Sequence, residues 1–243
     1  MLIINADDWG RSIAETDAAL TCYREGRITS VSAMVFMADS ERAAELANAH
    51  GLDVGLHLNF SEPFTDDKCP RGLRHSHNRI VRFLKQHKYA QILYNPSLRK
   101  EFAYSYHTQS EEFLRLFGKT PSHIDGHHHM HLCANLLLSR IIPAGIRMRR
   151  TFSFFPGEKS LLNRIYRASI DRWLRRRYRL PDYLFDLTQS IREKKTARVM
   201  ELARSSKVEL MVHPIISTES DYLMGDQFRA MLDHLNTASY ALV

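Results

Sequence analysis

Short apolar runs alternate with amphipathic segments along the 243 residues, and this alternation constrains the fold more than any other feature. Strands separated by helices pair in parallel through right-handed crossovers. Residues 2–6 (LIINA) are an apolar run that meets acidic residues and Gly10, the pattern of a buried strand ending at a polar loop. Residues 12–25 then have helical composition, with Ser12 as N-cap, Glu15 three residues later and Gly26 as stop. The unit repeats with a strand over 31–37 and a helix over 40–50, opened by Ser40 and closed by Gly51.

A third strand over 52–60 leads into SEPFTDDKCPRG, a polar loop dense in turn residues. Helices are expected over 78–93 and 97–117, then a strand running into a loop over 122–131, a helix from Ala134 and a short strand at GIRMRR. The pattern resumes with a helix over 196–206, a strand over 208–213 and a last helix over 226–236. Six or seven such units fit a distorted or incomplete (β/α) barrel of mainly parallel strands better than an open sheet. The expectation is one domain over 1–243, with 151–186 an Arg-rich helical insertion.

Composition narrows the class. Hydrophobic residues are 44% and charged residues 25%, so disorder, collagen and a disulfide scaffold are poor descriptions. Cys22, Cys69 and Cys133 lack C-x-x-C spacing, which suggests a reducing compartment. The first residues lack the apolar core of a secretion signal, and no stretch approaches the ~20 apolar residues of a membrane span, so a cytoplasmic protein is expected. The net charge of +7 invites a nucleic-acid reading, yet the arginines crowd between Arg140 and Arg179. The charge is therefore a local feature, and nucleic acid is not the expected partner.

In barrels and open parallel sheets alike, sites form at the C-terminal ends of strands. Asp7 and Asp8, His57, His127 and His213 all fall at expected strand ends. An aspartate and two histidines from separate strands suit zinc, iron, manganese or another divalent ion, which polarises a carbonyl and acidifies water. Taken singly, paired aspartates more often cap a turn, and a lone strand histidine more often sits hydrogen-bonded in a core. Four coincidences at equivalent ends favour a site. In the run HHHMH, an extended chain puts His127, His129 and His131 on one face and His128 on the other, so one of the four is expected as metal ligand, with the others steadying it or touching substrate.

NADDWG at 5–10, GLH at 55–57, PSHIDGHHHMH at 121–131 and MVHP at 211–214 together resemble the YdjC-like family of carbohydrate deacetylases. The resemblance covers most of the chain outside 60–100 and 151–190. It implies a distorted β/α barrel that hydrolyses N-acetyl groups from an amino sugar or N-acetylated oligosaccharide with one divalent metal ion, magnesium or zinc. By the family's motifs the metal ligands are Asp8, His57 and His127, the general base is Asp7 and the general acid is His213. Asp125 is expected to orient one of the histidines, and Arg149 to help set the charge of the carboxylates.

The chain departs from the family at NFSEPF after His57, at HLCANLLL, which lacks a proline after the histidine run, and throughout 151–186. Two other readings stand beside the hydrolase. His123-Ile-Asp125 could join a distal histidine as the facial triad of an Fe(II)-dependent oxygenase, a chemistry usually built on an all-β jelly roll. Alternatively the basic segment 164–179 binds nucleic acid, an anionic membrane surface or an anionic ligand. A homodimer is compatible with the sequence.

Overall fold

Leu2, Ile3, Ile4 and Ala6 are completely buried, and they make the first apolar run a strand, β1 (Leu2–Trp9). The structure, a computed structural model, describes residues 1–87 and 89–242. After β1 come α1 (Ile13–Arg24), β2 (Ser30–Ala33), α2 (Ser40–His50), β3 (Val54–Leu58), α3 (Arg71–Lys85), α4 (Arg99–Phe117), β4 (Ile124–Gly126) and α5 (Ala134–Leu138). The chain continues through α6 (Leu161–Leu174), β5 (Tyr183–Asp186), α7 (Leu187–Arg192), α8 (Thr196–Ser205), β6 (Val208–Val212), α9 (Ser217–Met224) and α10 (Asp226–Leu232). The class is α/β, an incomplete (β/α) barrel of mainly parallel strands.

The chain divides into two compact units. The first unit holds residues 1–7, 17–31 and 144–243, with strand order β2-β1-β6-β5. Its register is parallel, with Ile4 beside Leu210 and Leu184 beside Glu209. Every residue of β6 from Val208 to Val212 is buried, including Glu209 and Met211 on the face opposite Val208, Leu210 and Val212, as expected of a strand covered on both faces.

The second unit holds residues 8–16 and 32–143, with strand order β4-β3-β2. Here β3 and β4 pair in parallel, with His57 directly beside Asp125. Phe60 and Phe102 meet at 5.3 Å, and Phe113 and Phe117, one turn apart on α4, stack at 4.4 Å. Gly51 and Gly118 end α2 and α4 in the left-handed conformation, which costs glycine nothing.

Several boundaries differ from the sequence reading. The strand expected over 31–37 is only four residues long, because Phe36 turns to a positive φ of 58°. The helix expected over 78–93, a range that includes the undescribed Lys88, begins earlier, at Arg71 behind Pro70, inside the segment read as loop. GIRMRR is not a strand of its own: it carries only isolated bridge residues, Arg147 and Met148, the first paired with Arg179. The last helix, expected over 226–236, is α10 and stops at Leu232, while α9, on the other side of Gly225, has no counterpart in the sequence reading. The segment read as insertion contains α6 and also β5, a strand of the sheet. Among the described residues no helix is long and apolar enough to cross a membrane.

Candidate active site

In the second unit, three strand ends bring Asp8, His57 and His127 together, with one donor atom from each within 4.8 Å of the others. Asp8 sits in the left-handed region at φ 66°, a conformation aspartate tolerates better than most residues and that marks strained functional positions. Its Oδ1 accepts from His127 Nδ1 at 2.8 Å and lies 3.3 Å from His57 Nε2. Burial opposes ionisation of Asp8, but the hydrogen bonds and charges of His127 and His57 outweigh it and hold the carboxyl far below the usual carboxylate range.

Behind this cluster His57 Nδ1 lies 2.8 Å from Asp125 Oδ1. The other Asp125 oxygen accepts from Ser32 Oγ at 2.8 Å, and Ser32 Oγ is also 3.0 Å from His123 Nε2. His57, Asp125, Ser32 and His123 are all buried. Gly55 makes room for this row: a Cβ there would stand 2.3 Å from His123 Cε1. The His123-Ile-Asp125 pair is thus engaged with Ser32 and His57, and it stands on an α/β fold rather than the jelly roll usual for an oxygenase.

The run after β4 is not extended. It folds as a 3-10 turn, His127–Leu132, in which His128 and His129 take positive φ of 52° and 57°. This corrects the expected alternation of faces. His128 does not point away: its Nδ1 is 3.0 Å from Ser61 Oγ, and it forms a second carboxylate–imidazole group with Glu62 and His127. His129 and His131 lie with ring centroids 6.2 Å apart, and His131 is buried against Gly126.

Sequence reasoning missed Glu62. Arg11 forks onto it at 3.0 and 3.1 Å, and Asn59 Oδ1 shapes its loop by accepting from the Ser61 and Glu62 backbone N–H groups. His127 Nε2 faces Glu62 Oε1 at 3.2 Å but out of line, so this buried nitrogen has no hydrogen-bond partner. The only signal was an acid shortly after a strand, too common to single out.

In the first unit Arg149, fully buried, forks onto both Asp7 oxygens at 2.6 Å and donates through Nε to Glu209 Oε1 at 2.7 Å. Asn5 Nδ2 donates to Asp7 Oδ1 at 2.9 Å, and the Tyr240 hydroxyl donates to the second oxygen of Glu209. His213, just past β6, is partly exposed. Its backbone N–H donates to the buried Glu219, whose Oε1 stands 3.9 Å from His213 Nδ1. Burial pushes the Glu219 carboxyl up, against the pull of Thr188 and His213. Glu209, Tyr240 and Glu219 carry no sequence pattern that would have marked them.

A carboxylate and two imidazoles at the strand ends of an incomplete α/β barrel define a barrel protein with a candidate mixed oxygen–nitrogen metal centre. The chain belongs to the YdjC-like protein family, whose profile matches residues 1–234. It is 32% identical over 173 residues to chitooligosaccharide deacetylases of Yersinia pestis (strain Pestoides F) and of Yersinia pseudotuberculosis serotype O:1b (strain IP 31758). Those matches cover 70% of this chain and 61% of each relative, so the chain spans less than two thirds of their length. A crystal structure described as that of a cellobiose-phosphate cleavage protein, from Enterococcus faecalis V583, has the same fold. It is 20% identical with a TM-score of 0.65, covering 98% of this chain and 97% of the other.

Proposed function

We propose that the chain is a metal-dependent amide hydrolase that removes the acetyl group from an N-acetylated amino sugar or oligosaccharide. The observation that carries this reading is the Asp8, His57 and His127 cluster, with the far nitrogen of His57 engaged by Asp125. The name of the curated relatives, chitooligosaccharide deacetylase, supports the choice of substrate class.

The donors fit a divalent cation. The set is one carboxylate and two imidazoles, Asp125 orients His57 from behind, and His127 brings a buried nitrogen with no hydrogen-bond partner. Asp8, His57 and His127 would hold magnesium or zinc, which when bound supplies Lewis acidity toward an amide carbonyl.

The remaining work falls to side chains. An acetamide is attacked by water only if a base removes a proton, and Asp7, next to Asp8 in the chain, is assigned that role. The fork of Arg149 and the Asn5 amide fix the Asp7 carboxylate in orientation. The amine leaves only when protonated, and His213 is assigned as the acid, with the Glu219 carboxyl beside it.

Acetate release from a panel of N-acetylated mono- and oligosaccharides tests the reading. Metal-stimulated release, abolished by chelator and by Asp7→Asn, is the expected result. A metal-loaded protein that releases acetate from no sugar overturns the assignment.

A further inference from the structure

The outer face of α6 is apolar where water is most accessible. Leu161 is 68% exposed, Leu162 80%, Ile165 53% and Tyr166 49%. At 3.6 residues per turn they share one strip roughly 140° wide. The opposite side of the helix is the one that packs, through the buried Asp171 and Leu174.

This strip lies in the most basic part of the chain. From Lys159 to Arg179 there are eight basic side chains and one acid, an excess of seven that equals the net charge of +7 of the whole protein. The single acid does not offset it at the surface, because Asp171 is buried and occupied by Arg150 and Thr151. Arg164, Arg172, Arg175 and Arg176 are exposed. Beside α6 runs an open cleft of about 360 Å³, lined by Arg150, Phe152, Phe154, Arg164, Arg167 and Tyr183 among others. In it the Arg167 guanidinium lies 5.0 Å from the centre of the Phe154 ring.

The combination selects the occupant. Nucleic acid would neutralise the arginines but leave Leu161, Leu162 and Ile165 in water. A second copy of this face would bring the same positive field against itself. A small phosphate could enter the cleft yet would not cover the strip. An anionic bilayer takes both features at once, since a basic helix with exposed aliphatic side chains lies in the plane of the interface.

We propose that α6 docks the protein on an anionic lipid bilayer, with Leu161, Leu162 and Ile165 entering the headgroup boundary and the neighbouring arginines meeting the lipid phosphates. The inference is independent of the hydrolase reading.

Co-sedimentation with phosphatidylcholine vesicles, alone or with one-third phosphatidylglycerol, tests it on the full chain. Binding is expected to the mixed vesicles only and to weaken with salt. Arg164→Gln with Arg172→Gln and Arg176→Gln is expected to lower partitioning by at least about tenfold, and Leu161→Gln with Leu162→Gln to lower it severalfold. All five positions are exposed, so circular dichroism should report unchanged folding. Four results overturn the proposal: no partitioning, partitioning indifferent to the leucine variant, release by millimolar inorganic phosphate in place of general salt, or preferential binding of a single-stranded oligonucleotide. Light scattering that shows a dimer broken by the leucine variant overturns it as well.

Discussion

His57 and Asp125 stand side by side on the paired strands β3 and β4, joined from Nδ1 to Oδ1 at 2.8 Å. With the carboxylate as acceptor, Nδ1 carries a proton, and Nε2 is the nitrogen on the Asp8 side of the ring. One backbone register thus sets which ring nitrogen of a proposed ligand faces Asp8.

Asp125→Asn is expected to keep the fold and weaken zinc or magnesium binding by about 10- to 100-fold, because an amide no longer fixes the imidazole's proton. Calorimetric titration reads the difference. Equal affinity would mean that the strand pairing alone orients His57.

Arg149→Met leaves two buried carboxylates, Asp7 and Glu209, without the guanidinium they share. Breaking a buried pair by removing one partner costs about 3–5 kcal/mol. Urea unfolding should show that loss. Arg149→Lys should recover part of the stability but not the fork onto Asp7.

A methyl at position 55 would meet the His123 ring at 2.3 to 2.5 Å. Gly55→Ala is therefore expected to cost about 1–3 kcal/mol through overpacking. That corresponds to a Tm lower by several degrees in a thermal melt, and an unchanged melt would show that His123 yields without penalty.

His77 is buried on α3 against Phe64 and bonds through Nε2 to the Glu62 backbone oxygen at 2.7 Å. Burial lowers its pKa from 6.5 to about 4. The unfolded chain therefore takes up a proton first as pH falls. Stability from this group is intact above pH 6.5, declines between 6.5 and about 4, and is level below. Each pKa unit is worth about 1.4 kcal/mol, so up to about 3 kcal/mol is at stake. Urea midpoints across that window should lose this part of their slope in His77→Gln.

The parts of the fold that sequence made legible are those written in local chemistry. The run LIINA, the helix of α2 between Ser40 and Gly51, and VELMV before His213 carry their burial pattern or stop signals in adjacent residues. The convergence of Asp8, His57 and His127 was legible because each ends a strand. What stayed hidden depends on backbone choices or distant partners. Nothing in HHHMH announces that His128 and His129 adopt left-handed conformations, which turns His128 toward Ser61. Arg71 could not be read as a helix start, since RGLRHSH is polar with a glycine inside. Glu62 and Glu209 gain meaning only from Arg11 and Arg149, 51 and 60 residues away, and Glu219 only from the turn after β6 that brings it back to His213.

Tyr240, fully buried near residue 243, grips Glu209, which holds Arg149, which in turn clasps Asp7. Tyr240 therefore acts as a remote strut for Asp7, through Glu209 and Arg149. Removing the Tyr240 hydroxyl would free one oxygen of Glu209 and loosen, at third hand, the Asp7 carboxylate.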